Sequence, residues 1–212
     1  MHHKPKTYVY VDAFNLYYGA IKGTKFHWLN LDTFCKKILP QHEVTRIKYF
    51  TALVKPRPND LQEPLRQQLY LRALKTIPNL DIIYGHYLSH TVTMPMADFK
   101  DGKIKYARVI KTEEKGSDVN LATHLLHDAH LNKYESAVVV TNDSDLVEPI
   151  RIIVNELKKN VGVINPQKHP SNELLKVATF FKSVRHNTLA ASQFPSEMKD
   201  NVGLFHVPEK WK

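Results

Sequence analysis

An α/β fold is predicted, built on a largely parallel sheet covered by helices on both faces, and three observations predict it. Short runs rich in β-branched and aromatic residues recur along the chain, segments with helical apolar spacing separate them, and several of the runs are apolar at successive positions. A strand with one solvated face alternates apolar with polar, whereas one buried on both faces does not, so the third observation puts helices on both sides of the sheet.

The elements follow in order. Thr7 to Asp12 (TYVYVD) reads as the first strand, and Leu31, Phe34 and Ile38 mark the face of a helix after it. Arg46 to Val54 (RIKYFTALV) is a second strand, followed by helical spacing at Leu61, Leu65 and Leu69. Leu80 to Leu88 (LDIIYGHYL) is a third. Met96 to Lys111 breaks the rhythm: Asp101-Gly102 lies between two extended-looking arms, a strong hairpin signal, so an antiparallel β-hairpin insertion is expected there. Val119, Ala122, Leu125, Leu126 and Ala129 then define a helix, with Gly116 permitting a sharp entry turn and Ser117 suited to its N-cap. Ser136 to Asn142 (SAVVVTN) is a fourth strand, Val147, Ile150, Val154 and Leu157 a helix, and Val161 to Asn165 (VGVIN) a fifth strand. No linker or internal repeat divides the chain, so one domain over 1–212 is expected, with a core of about 7–181 and a C-terminal extension of about 182–212 wrapped onto it.

Composition bounds the function. With 42% hydrophobic residues in 212, the chain can bury a sizeable core, and no apolar run approaches membrane length. Cys35 is the sole cysteine and cannot form an internal disulfide, and MHHKPKTYVY lacks the apolar stretch of a secretion signal, so a cytoplasmic location is the default. A formal net charge of +9 favours polyanionic partners. The hairpin region concentrates it, with Lys100, Lys103, Lys105, Arg108 and Lys111 against Asp101 between positions 100 and 111.

In so basic a chain, gathered carboxylates need an explanation. Asp12 ends the first strand with Asn15 three residues on, Asp143 and Asp145 follow the fourth strand, and Asp118 begins the helix that precedes it. The carboxyl ends of parallel strands share one edge, so Asp12, Asn15, Asp143 and Asp145 should share a crevice; Asp118 joins them if the hairpin returns the chain to that edge. Each has a plain structural alternative. Asp145 with Glu148 resembles a capping box ahead of Pro149, Asp118 suits a helix first turn, and Asp12 with Asn15 suits an Asx turn. Asp143 is hardest to dismiss, because Ser144 or Asp145 could cap the helix without it. Clustered carboxylates repel, and a bound divalent cation relieves the repulsion. Mg²⁺ binds through a few carboxylate oxygens and leaves positions for waters and phosphate oxygens, a site suited to phosphodiester hydrolysis.

The three segments YVYVDAFNLYYG, KGSDVNLATHLL and VVVTNDSDLVEPI, in that order and at these separations, resemble the acidic motifs of the NYN domain, in the PIN-like ribonuclease superfamily, and in particular its bacterial LabA-like branch. The resemblance covers roughly Thr7 to Phe181. It implies a Rossmann-like three-layer α/β/α fold with a central, mainly parallel sheet, and a metal site for phosphodiester hydrolysis. The family's acidic positions fall on Asp12, Asp118, Asp143 and Asp145, and its strand-one Asn on Asn15; Asn142 stands where the family often has glycine and Leu146 where it often has phenylalanine. The expected activity is a Mg²⁺- or Mn²⁺-dependent endoribonuclease on single-stranded or locally unpaired RNA. Asp12, Asp118 and Asp143 would hold metal, Asp145 would orient a ligand or water, and Asn15 would support a metal or phosphate. Lys103, Lys105, Arg108, Lys111 and Lys115 would contact the backbone, and Phe14, Tyr17 and Tyr18 would stack a base at the rim. RNA is thus the expected partner, single-stranded DNA a further candidate, a homodimer is allowed and no membrane is expected.

Other readings are weaker. A non-catalytic nucleic-acid-binding module of the same fold is the alternative in another class. A haloacid-dehalogenase-type phosphohydrolase would need a DxD motif where this chain has DAFN. His124, His127 and His130 with Asp128 suggest zinc but read as a solvated helix face, because HExxH is absent. Cys35 reads as core, and no dinucleotide or phosphate-binding glycine loop occurs. The closing HVPEKW matches the ending of some LabA-like proteins without indicating a role.

Overall fold

The computed structural model describes residues 3–56, 58, 60–97 and 104–212. Six parallel strands form the central sheet: β1 (Lys6–Asp12), β2 (Glu43–Thr51), β3 (Leu80–Tyr84), β6 (Ser136–Val140), β7 (Asn160–Asn165) and β8 (Phe180–Ser183), in the order β3-β2-β1-β6-β7-β8. β4 (His86–Pro95) and β5 (Tyr106–Lys115) make a separate antiparallel arm, and β9 (Glu197–Asp200) and β10 (Gly203–His206) a small hairpin near the end.

Alternation along the strands builds two cores. Val9, Val11, Ile47, Tyr49, Val138 and Val140 face one side, packing on α1 (Ala13–Leu16), α2 (Leu31–Ile38), α3 (Glu63–Leu74), α7 (His186–Ala190) and the C-terminal segment. Tyr10, Phe50, Ala137, Val139, Val161 and Val163 face the other, packing on α4 (Ser117–His130), α5 (Val147–Asn155) and α6 (Asn172–Val177). Both faces of β1 and β6 are therefore dry, as their uninterrupted apolar sequences require. Cys35 is fully buried, in agreement with its reading as core.

Several elements differ from expectation. The third strand stops at Tyr84, not Leu88: a side chain on Gly85 would lie 2.6 Å from the Lys115 carbonyl oxygen, so this glycine marks where the chain leaves the sheet and enters the arm. The arm is accordingly longer than Met96 to Lys111, pairing His86 with Lys115 and Pro95 with Tyr106; its expected Asp101-Gly102 turn lies outside the described residues. Leu61 and Leu65 are exposed, and α3 instead buries Leu71, Ala73 and Leu74, because it packs through its C-terminal half. The strand Phe180–Ser183, unplaced from sequence, pairs with β7 and completes the sheet.

The expected solvated face on α4 is half wrong. Asp128 is fully buried and binds Lys48 of β2, the Tyr10 hydroxyl at 2.8 Å and Lys133 at 3.1 Å, while Lys48 also lies 3.2 Å from His124 Nδ1. Burial works to raise the Asp128 pKa, but the bonds from Lys48, Tyr10 and Lys133 outweigh it and hold it below the ordinary value. This cluster fastens α4 to the sheet.

Candidate functional site

β1 and β6 lie side by side where the strand order reverses, with β2 and β3 running to one side and β7 and β8 to the other. Loops leaving the carboxyl ends of such a pair diverge and open a crevice between them. Asp12 closes β1 at this point and is 2% exposed. Its Oδ1 accepts from the Asn15 backbone N–H at 2.9 Å, and its Oδ2 accepts from Asn15 Nδ2 at 2.7 Å and the Thr141 hydroxyl at 3.1 Å. The Asp143 N–H donates to Thr141 Oγ1 at 3.1 Å, and the Asn142 N–H to Asn15 Oδ1 at 3.2 Å. Asn15 and Thr141 thereby lock the β1 and β6 loops together. Thr141 was not singled out from sequence, although it stands between the strand and the acidic pair in VVVTNDSD.

Asp118 reaches the same edge. β5 ends at Lys115, Gly116 turns the chain with a left-handed φ of 94°, and α4 begins at Ser117. Ser117 is not the cap expected of it: Glu114 accepts both its N–H, at 3.1 Å, and its hydroxyl, at 2.6 Å. The Asp118 pKa is pushed up to about 6, first by burial and then by the charges of Asp12, Asp143, Glu114 and Asp145. Burial also raises Asp12, against the bonds from Asn15 and Thr141, with Asp143 adding a further push. Asp118 and Asp12 thus sense the neighbouring carboxylates, as convergence on one crevice requires.

The capping roles are exchanged relative to expectation. Asp143 is the N-cap, its Oδ1 accepting the Asp145 N–H at 3.0 Å ahead of a 3₁₀ turn at Ser144–Leu146 that leads into α5. Asp145 is exposed, and Glu148 binds Arg151 at 2.6 Å instead of reaching back. Asp143 therefore has the structural use that the sequence did not assign to it. Asn142, in the position where glycine is common, accepts from the Ser171 N–H at 2.7 Å and donates to the His169 carbonyl at 3.0 Å, which ties in the loop before α6.

The model of the NYN domain matches residues 6–185. The chain belongs to the NYN domain family. This nuclease-like assignment agrees with the fold and with the crevice of carboxylates. A curated relative, 6-hydroxy-3-succinoylpyridine 3-monooxygenase HspA of Pseudomonas putida, is 30% identical over 97% of this chain and 75% of its own length. A crystal structure of a protein of unknown function, VPA0982 of Vibrio parahaemolyticus, superimposes with a TM-score of 0.59 at 17% identity, covering 92% of this chain and 99% of that one, and shares the fold.

In this NYN domain no three His, Cys, Asp or Glu side chains among the described residues already stand close enough to enclose a metal ion. The donor set nonetheless suits a hard cation: all are carboxylates, and burial together with their repulsion raises the pKa of Asp118. Mg²⁺ takes one or two carboxylates and fills its shell with water and phosphate oxygens, so a closed protein cage is not required. No described helix is long and apolar enough to cross a membrane.

On the opposite side of α1 from this cluster, the NYN domain carries a cavity of about 220 Å³ lined by Phe14, Tyr17, Tyr18, Tyr49, Tyr70, Tyr87 and Trp211, among others. Phe14, Tyr17 and Tyr18, expected from sequence at the rim of the carboxylate site, line this cavity instead; Tyr70, Tyr87 and Trp211 come from α3, β4 and the C-terminal segment and carried no local signal. Lys105, Arg108, Lys111 and Lys115 are exposed on the arm, with Lys111 and Lys115 both pairing with Glu113, at 2.7 and 3.5 Å. Lys103 lies outside the described residues.

The raised Asp118 pKa carries a pH signature. Below an ordinary carboxylate value of 3.8 the group is protonated whether the chain is folded or not; above about 6 the folded metal-free protein holds it ionised against its preference. Metal-free Asp118→Asn should therefore be more stable than wild type at pH 7, by on the order of 1 kcal/mol after allowance for its partial exposure, and the gap should close towards pH 4. Thermal melts at the two pH values check this; an equal gap at both would mean that charge is not its cause.

Proposed function

We propose that this NYN domain is a Mg²⁺- or Mn²⁺-dependent endoribonuclease acting on single-stranded or locally unpaired RNA in the cytoplasm. The observation that carries the reading is the gathering of Asp12, Asp118, Asp143 and Asp145 at the switch point of the sheet, where burial and the neighbouring carboxylates raise the pKa of Asp118 and of Asp12, in a chain of net charge +9. A polyanionic strand does not approach four carboxylates unless their charge is neutralised, and a divalent cation does so while adding affinity for phosphate.

Asp12, Asp118 and Asp143 would hold the ion, and Asp145, exposed at the mouth, would orient a water or a further ligand. When bound, such an ion polarises the phosphoryl group and lowers the pKa of an attacking water. Asn15 fixes the direction of the Asp12 carboxylate through its two bonds and so sets where the phosphate must sit. Cleavage of a labelled single-stranded RNA with Mn²⁺, and its loss with EDTA, tests the reading.

A second reading, a nucleic-acid-binding module that turns nothing over, is favoured by one observation: the carboxylates do not already form an enclosed set among the described residues. RNA bound with no cleavage in Mn²⁺ would decide for it. Under either reading the arm contacts phosphates, so replacing Lys103, Lys105 and Arg108 with alanine should weaken binding of every RNA sequence alike. The log–log salt slope should flatten by up to about 0.7 per lost contact. An unchanged slope would reduce the arm to a solvated projection.

A further inference from the structure

The aromatic cavity belongs to no part of the proposed phosphodiester chemistry, yet it adjoins that chemistry. One turn of helix, α1, presents Asn15 to Asp12 on one side and Ala13, Phe14 and Leu16 to the cavity on the other. Tyr49 and Thr51, from the carboxyl end of β2, form its floor, and Asp12 is close enough to raise the Tyr49 pKa, after burial has done so. A group seated here is a near neighbour of whatever the carboxylates handle.

Its walls come from widely separated places in the chain. Phe14 meets Tyr87 of the arm edge to face, with centroids 6.1 Å apart, and Tyr17 meets Tyr18 in the same way at 5.2 Å. Trp211, in the terminal HVPEKW, stacks on His27 at 5.2 Å with the rings 10° from parallel and touches Tyr70 edge-on. Lys210 holds this end down by bonding Asp60 at 2.8 Å, and Asp60 also binds Arg66 of α3. The HVPEKW segment is thus one wall of the cavity. Burial, with the cations of Arg66 and Lys210, lowers the His27 pKa against a hydrogen bond to the Thr24 backbone. Lys22, which does not itself line the cavity, sits 4.9 Å over the exposed ring of Tyr18, which does, and so places a cation near its edge.

The dimensions limit the occupant. At about 220 Å³ the space is smaller than the roughly 300–1,000 Å³ of drug-sized ligand sites, so it admits one ring system and not a dinucleotide. Aromatic walls, with Thr51, Gln67, Arg66 and Lys210 in the lining beside Asp60 and Glu63 and with Lys22 near the edge, suit a planar heteroaromatic ring that carries polar edge groups and is joined to a phosphate.

We propose that the cavity is a base-binding subsite, which takes the unstacked nucleobase of a nucleotide beside the scissile phosphate and has Trp211 of the HVPEKW segment as one wall. The assignment rests on the ribonuclease reading for its substrate, and it explains why unpaired RNA is required: a base held in a duplex cannot enter.

The test uses the full chain in EDTA, so that nothing is cut. Titrations with the four ribonucleoside 5′-monophosphates are followed by tryptophan fluorescence, Trp28 being buried and Trp211 standing at the cavity. Nucleoside monophosphates should quench at concentrations where ribose 5-phosphate does not. Tyr87→Leu, on the arm outside both cores, should raise the dissociation constant about 5- to 150-fold, the range for losing one aromatic partner of a base. Trp211→Ala, followed by proton NMR of the nucleotide, should do the same. Equal response to ribose 5-phosphate and nucleotide, or a Tyr87→Leu protein that binds as wild type does, overturns the subsite. Free uracil or adenine binding as tightly as the nucleotide would assign the cavity to a free heteroaromatic and overturn it too. Failure here with Mn²⁺-dependent RNA cleavage intact would remove the subsite and leave the ribonuclease, whereas nucleotide binding without cleavage would do the reverse.

Discussion

Asp143→Asn is expected to abolish Mn²⁺-dependent RNA cleavage while leaving the fold intact. The structure sharpens this substitution. Asp143 is the N-cap of the turn into α5, accepting the Asp145 N–H at 3.0 Å, so its removal could have disturbed the loop as well as the charge. Asparagine caps about as well as aspartate and keeps that bond, so the substitution removes the negative charge alone. Groups that merely orient a metal ligand typically cost about 10–100-fold when replaced, so loss of a ligand should exceed about a hundredfold. Rates on a labelled RNA in saturating Mn²⁺, beside the circular-dichroism spectrum, read the result. Activity within a few-fold of wild type would take Asp143 out of the metal set.

The second large effect is on stability and lies on the far face of the sheet. Asp128→Ala should destabilise the protein by about 3–5 kcal/mol, because it leaves Lys48, 8% exposed, as an uncompensated buried charge and strips the Tyr10 hydroxyl of its acceptor. For a chain of this length that is a fall in melting temperature of roughly 6–20 °C. Replacing both charges with apolar residues, as in Lys48→Met with Asp128→Leu, should recover much of the loss, since the desolvation of both ions is then removed with their attraction. Thermal melts of the three proteins check this. A double variant no better than Asp128→Ala would mean that the ion pair is itself strongly stabilising.

Where the sequence was legible, a local pattern mapped directly onto burial. Strands β1, β6 and β7 are apolar on both faces, and they lie inside a covered parallel sheet. The Asp12, Asp118 and Asp143–Asp145 segments each follow or precede a strand, and topology brings all of them to one edge. Elsewhere the same kind of pattern misled. Leu61, Leu65 and Leu69 have helical spacing, yet the first two are exposed, because Leu61 precedes α3, which starts at Glu63, and α3 buries only residues of its far end. Asp145 and Glu148 have capping-box spacing, yet Asp143 caps, because the chain enters α5 through a 3₁₀ turn that starts two residues earlier than that spacing assumes.

What the sequence by itself determined is what depends on neighbours a few residues apart: strand and helix periodicity, the α/β alternation, and which carboxylates end which strands. Only the tertiary structure decided what depends on residues far apart in the chain. Lys48 and Asp128 are 80 positions apart, and their pairing converts an apparently solvated helix face into a buried anchor. The cavity joins Phe14, Tyr70, Tyr87 and Trp211, which share no spacing and no motif. A contact between distant residues leaves no periodic trace, because the chain between them is free to vary; the packing of layers alone brings them together.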